Sequence, residues 1–249
     1  MGAADPVGAL NGTATYANLT LGNSATKSSV WHHGGNIIVT GTLTINANSS
    51  VNRLLIRSST IGTPRTITAA ALVCTNVIDF QDITGAGAAT WTTAASGATY
   101  FGDCGGNSGI TFTTPETQTA TGTASFTWST HGWTSRVPLP QDGVVINNAF
   151  VAGRTITADM PRLGKSIDFT GGSGSPILSV TVGASIFGSL TLIAGVTPSG
   201  TTRVTFAGRS TFTLTSAGAT TTWPITLNAP SGTLTLQDAL SISASANST

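Results

Sequence analysis

Charge is scarce in this chain. Its 249 residues include ten Lys and Arg and nine Asp and Glu, for a net charge of +1. Glu116 is the single glutamate. The ten cations stand singly, so no basic stripe for nucleic acid is formed. Residues that build solvated helix faces are nearly missing, which argues against a helical fold. Two cysteines, Cys74 and Cys104, are too few for a disulfide framework. They either pair across the fold or remain small buried thiols. No apolar run is long enough to span a bilayer, so no membrane insertion is expected. The opening MGAADPVGALNG lacks a basic stretch followed by an apolar one, so no export signal is read there.

What is present is threonine, glycine and alternation. The 46 threonines outnumber all charged residues together, and there are 30 glycines. An apolar fraction of 39% at such low charge is the composition of a folded chain. A short phrase recurs at 22-residue steps: GSLTLIA from Gly188, STFTLTSA from Ser210 and GTLTLQDA from Gly232. It alternates apolar and polar, so it reads as strand. A fixed period of this size marks a chain that coils and stacks one short unit on the next. The fold expected is therefore all-β, a β-solenoid with a coil of roughly 22 residues. Leu190, Phe212 and Leu234 are expected to stack in one buried column. Each such residue contributes roughly 1.5–3 kcal/mol before entropy is subtracted. About eleven coils at the ~4.8 Å spacing of paired strands would make a rod of order 50 Å.

A second, longer repeat divides the chain. RTITAAALVCTNVIDF from Arg65 and RTITADMPRLGKSIDF from Arg154 agree at eight of sixteen positions without a gap. Two homologous modules follow from this: a first solenoid module over 1–115 and a second over 142–249. Between them, 116–141 reads as a Thr-rich linker and a Trp/Pro capping segment. Trp128 and Trp133 there would cover an open coil end, with Pro138 and Pro140 imposing an extended path. Strands are expected at 37–45, 53–57, 66–69, 77–80 and 110–113 in the first module. In the second they are expected at 144–147, 155–158, 167–169, 178–182, 189–193, 203–206, 211–215, 225–227 and 233–236.

Residues able to carry chemistry are few. Asp79, Asp82 and Asp103 are the nearest approach to a carboxylate cluster, the arrangement that calcium binding or acid–base work on sugars needs. Asp79 stands between Ile78 and Phe80 and so points outward, as does Asp168 between Ile167 and Phe169. A residue repeated at equivalent positions of two modules suits the holding of a turn through backbone N–H groups. Asp103-Cys104-Gly105-Gly106-Asn107 reads as a turn. It lacks calcium-loop spacing, and no nearby histidine would activate Cys104. His32 and His33 are adjacent, so on a strand they face opposite ways and do not suit one metal; a surface loop is the simpler reading. No catalytic, cofactor or metal residue is assigned. Two contact surfaces are named as candidates. Trp128, His131 and Trp133 would form either a sugar-stacking surface or a packed cap. Leu234, Leu236 and Leu240 would form an assembly contact, because SISASANST covers the last coil poorly. Thr-x-Thr pairs, which on a flat solenoid would order water against ice, do not share one period here.

The second module carries a family likeness. WSTHGWTSRVPLPQDGVVINNAF, RTITADMPRLGKSIDFTG, SIFGSLTLIAG, TFTLTSAG and GTLTLQDAL together resemble a β-solenoid repeat family of environmental bacteriophage and bacterial genomes. Its features are a Trp-containing Val-Pro-x-x-x-Asp opening followed by Gly-Ser-Leu-Thr-Leu rungs. The likeness covers most of 50–245. It implies a structural virion protein, a tail fibre or tail-associated rod in contact with the host surface. Homo-oligomers or other virion proteins, and a host surface glycan, are the implied partners. A bacterial cell-surface adhesin is the second expectation and a glycan-cleaving spike or lyase the third. No catalytic residue comes with the resemblance.

Overall fold

In the computed structural model, residues 6–23 and 25–243 are described. Strand makes up 45% and helix 2%, so the fold is all-β. Every strand pair is parallel, and the chain forms β-solenoid coils. Two compact units are formed, one by the described residues up to Thr114 and the other by those from Pro115 on.

The second unit is built on three parallel sheets, which its middle coils visit in turn. One sheet has six rungs: Thr117–Thr119, Gly143–Val145, Ser166–Asp168, Leu190–Thr191, Thr211–Thr215 and Thr233–Leu236. The second runs through Phe126–Thr127, Thr155–Ala158, Ile177–Val180 and Thr197–Ser199. The third runs through Arg162–Gly164, Ala184–Ile186, Val204–Phe206 and Ile225–Leu227. A two-rung ladder, Thr220–Thr221 with Ser241–Ile242, completes the last coils. Side chains alternate inward and outward, so like residues stack. One inward column reads Gln118, Val144, Ile167, Leu190, Leu214, Leu236.

That column corrects the expected stacking. Leu190 pairs with Leu214, 24 residues on, and not with Phe212; Phe212 pairs with Leu234 at the expected step of 22. The coil between them holds two extra residues. A two-residue shift leaves the inward and outward faces unchanged, so alternation alone does not fix the register. Phe212 is buried, with its ring nearly parallel to that of Phe206 at 6.2 Å. Gly208 makes room for it: a Cβ there would lie 2.6 Å from the Phe212 ring.

The first unit coils in the same way. One sheet runs through Pro6–Leu10, Val30–His33, Leu54–Ser58, Val77–Gln81 and Tyr100–Asp103. The other includes Ile37–Asn46, Arg65–Thr75 and Ile83–Ala86. The long strands shift register between Val39 and Thr42, so each turns a corner and serves two sides of the coil. Arg65–Thr75 then Val77–Gln81 in this unit correspond to Thr155–Ala158, Arg162–Gly164 and Ser166–Asp168 in the other. The repeated sequence therefore occupies the same part of a coil in both units: Ile67 and Ile156, Ile78 and Ile167, Phe80 and Phe169 are all buried. Phe80 meets Phe101 edge to face at 5.2 Å and Trp91 at 6.3 Å. Trp91 is carried over this core by an excursion that includes the short helix Thr93–Ser96, capped by the Thr92 hydroxyl.

Two further expectations change. The segment 116–141 is not a linker beside the second unit; Thr117–Thr119 and Phe126–Thr127 are its first rung. Ile110–Thr113 forms no strand, although the Thr111 and Thr113 amides donate to Trp91 and Phe101.

Candidate functional site

The carboxylates are the natural starting point, and the structure gives nearly all of them work within the coils. Asp103 Oδ1 accepts from the Gly105 amide at 2.8 Å and from Asn107 Nδ2 at 2.7 Å. Asn107 in turn accepts from the Ile83 amide on the neighbouring rung. Asp82 is buried, adopts a positive φ of 54°, and accepts from the Gly62 amide at 2.9 Å. Asp168 accepts from the Thr170 amide. Asp159 binds both the amide and the hydroxyl of Ser129, at 2.9 and 2.6 Å. Asp238 takes the Ser216 and Ala217 amides, and these donors hold its carboxyl below the ordinary range. Several of these bonds reach from one coil to the next, spanning 20–30 residues of sequence.

Asp79 departs from its expected position. It alternates outward as read, yet it is fully buried, because Val77, Asp79 and Gln81 are covered as well as Ile78 and Phe80. Its counterpart Asp168 keeps partial exposure. Asp79, Asp82 and Asp103 therefore do not line an open groove. Among the described residues, no three His, Cys, Asp or Glu side chains are gathered to hold a metal. Neither cysteine is in a disulfide and both are buried, and burial pushes the Cys74 thiol up to about 12.

His32 and His33 lie on the strand Val30–His33, not on a surface loop. They face opposite ways. His33 is fully buried between Leu10 and Ser58 on the neighbouring rungs, and neither of its ring nitrogens is hydrogen-bonded. Loss of solvent, with His32 adding to it, lowers its pKa to about 4. His32 is lowered by burial and by Arg57.

The opening coil of the second unit holds the densest polar and aromatic arrangement. Trp128 is 0% and Trp133 8% exposed, with ring centroids 4.9 Å apart. The Trp133 indole N–H donates to the Trp128 carbonyl. His131 stacks on Phe126 at 3.9 Å, and its Nε2 accepts from the Thr121 amide. Burial lowers the His131 pKa. The indoles thus turn into the fold, and a sugar-stacking face on Trp128 and Trp133 is not offered; these rings pack a coil end.

Beside them lies a cluster that sequence reasoning did not single out. Arg136 grips Asp142 through Nε at 2.9 Å and Nη2 at 2.7 Å, and reaches Glu116 through Nη1 at 3.1 Å. Asp142 also accepts from the Glu116 and Leu139 amides. Gln118, fully buried, accepts from the Ser135 and Arg136 amides. The Ser135 hydroxyl and the Arg136 guanidinium hold the Glu116 carboxyl below its usual range. The available signal was Asp142, the closing residue of the Val-Pro-x-x-x-Asp opening.

The closing coil is the reverse of the opening one. Leu227, Leu236 and Ile242 are 52%, 48% and 37% exposed, and Leu234 and Leu240 are partly exposed. No strand of the described residues pairs with the outer edge of Ile225–Leu227, Thr233–Leu236 or Ser241–Ile242. The Thr-x-Thr pairs form no common array: Thr211 and Thr213 face Thr233 and Thr235, but Thr155 faces Ile177 and Thr42 faces Ala71.

No family model, curated protein or solved structure matches this chain.

Proposed function

We propose that this protein is a structural element of a virion, a coil stack belonging to a fibre or tail-associated assembly in contact with the host surface. The observation that carries the reading is the use of the carboxylates. Asp82, Asp103, Asp142, Asp159, Asp168 and Asp238 all accept backbone N–H groups, so the acidic side chains are occupied in holding coils and turns. Such a stack resists bending because each coil is bonded to the next along its sheets. The resemblance of the second module to fibre-type repeats points the same way.

The test is localisation. Antibody raised against the folded chain should label purified virus particles, and the chain should co-purify with them by mass. Recovery only in the envelope fraction of uninfected cells would overturn the virion reading and select the cell-surface adhesin.

A further inference from the structure

We propose that His131 is an acid-operated latch on the opening coil of the second unit: neutral, it holds the loop 121–124 in place, and protonated, it lets the loop go. One ring nitrogen supplies the argument. The Thr121 amide donates to His131 Nε2 at 3.0 Å. A neutral imidazole has one donor and one acceptor nitrogen. An Nε2 that accepts a backbone N–H is the bare one, so the ring proton sits on Nδ1. A second proton can go only to Nε2. The imidazolium then directs an N–H at the Thr121 N–H, and attraction is replaced by repulsion.

The loop is built so that this contact matters. Residues 121–125 are all exposed, and they join the strand Thr117–Thr119 to Phe126–Thr127. Both ends are fixed without His131. The Ala120 amide donates to the Val145 carbonyl, and Ser125 Oγ accepts from the Thr155 amide. Between these anchors, Thr121 meets the turn at His131 through its amide and, through Oγ1, reaches the Gly132 carbonyl at 3.1 Å. That hydroxyl bond is exposed, so water competes for both its partners. Gly122 follows with a φ of 77° and open space where a Cβ would stand, so the chain has room to swing there.

The ring itself stays in place. His131 stacks on Phe126 at 3.9 Å and meets Trp133 edge to face at 5.1 Å. The face of a stacked aromatic ring tolerates a cation. The charged groups on the surrounding elements are Glu116 and Asp142, both held by Arg136, then Asp159, which binds Ser129, and Arg154, at the start of the neighbouring rung. None of them shifts His131; burial alone lowers its pKa from the ordinary 6.5. The latch is therefore closed at neutral pH and opens only once the pH has fallen below that value.

The test is nitrogen-15 NMR of the labelled chain, titrated downward from pH 7.5. At the start, His131 should show a bare Nε2 and a protonated Nδ1. As His131 takes up its second proton, the Thr121 amide should exchange with solvent about fivefold faster, after correction for the intrinsic effect of pH, as the loss of one net hydrogen bond requires. The two changes should share one midpoint. The Ala120 amide, bonded to Val145, should keep its protection. His131→Phe keeps a stacking ring without an acceptor, and its Thr121 amide should exchange at the fast rate at every pH. A proton on Nε2 at pH 7.5 would overturn the proposal, and so would Thr121 exchange that ignores the His131 midpoint. Both are read on the wild-type chain, so the decision does not depend on whether the variant folds.

Discussion

The Arg136 guanidinium holds both oxygens of the buried Asp142 carboxylate, at 2.7 and 2.9 Å. Taking the pair out of water is costly, and the geometry offsets that cost because the carboxylate accepts two backbone amides besides the bidentate fork. Removing one partner leaves a buried charge uncompensated. Arg136→Ala and Asp142→Ala should each cost about 3–5 kcal/mol in chemical denaturation. Glu116→Gln, at the exposed rim of the same cluster, should shift the transition far less. Equal effects of all three substitutions would show that the cluster does not hold the opening coil in this way.

Phe212 tests the ladder itself. It is 3% exposed, packs beside Phe206 and pairs with Leu234. Phe212→Ala should cost about 3–5 kcal/mol through lost burial and the cavity left behind. Phe212→Asp should unfold the neighbouring coils, because a carboxylate would be buried without a partner. A melting temperature unchanged in Phe212→Asp would contradict the buried ladder.

His33 should make stability depend on pH. Its pKa falls to about 4 in the folded chain, against 6.5 for the ordinary side chain. The unfolded chain therefore binds a proton that the folded chain refuses across this interval. Stability is fully present above pH 6.5, declines as the pH falls, and has lost about 3 kcal/mol by pH 4. Urea unfolding between pH 7 and pH 4.5 should show the decline, and His33→Leu should flatten it. Retention of the full slope in His33→Leu would assign it to other groups.

Asp103 separates structure from catalysis. Its carboxylate ties Gly105 and Asn107 into the turn that bonds back to Phe80 and Ile83. Asp103→Ala should lower the melting temperature by several degrees, in line with a loss of about 1–3 kcal/mol. Incubation with host capsule or lipopolysaccharide should release neither reducing ends nor unsaturated uronates. Cleavage by the wild type that disappears in a folded Asp103→Ala or Asp79→Ala variant would make the protein a glycan-cleaving enzyme.

The amino-acid sequence by itself determined the class of fold and the strands long enough to show alternation. Thr155–Ala158, Thr211–Thr215, Ile225–Leu227 and Thr233–Leu236 form where the pattern places them. Arg162–Gly164 and Thr220–Thr221 were not expected as strands, because neither shows enough apolar alternation to mark one. Register was decided by the tertiary structure: Leu190 could meet Phe212 or Leu214 with every side chain still on its proper face. Burial outside the core was decided there too. Asp79 and Asp168 share one sequence context, yet only Asp79 is fully enclosed. The same holds for the Arg136–Asp142 pair, which depends on the path of the Val-Pro-Leu-Pro segment between the two residues. Local pattern states which face a side chain takes; what stands opposite that face depends on residues a whole coil away.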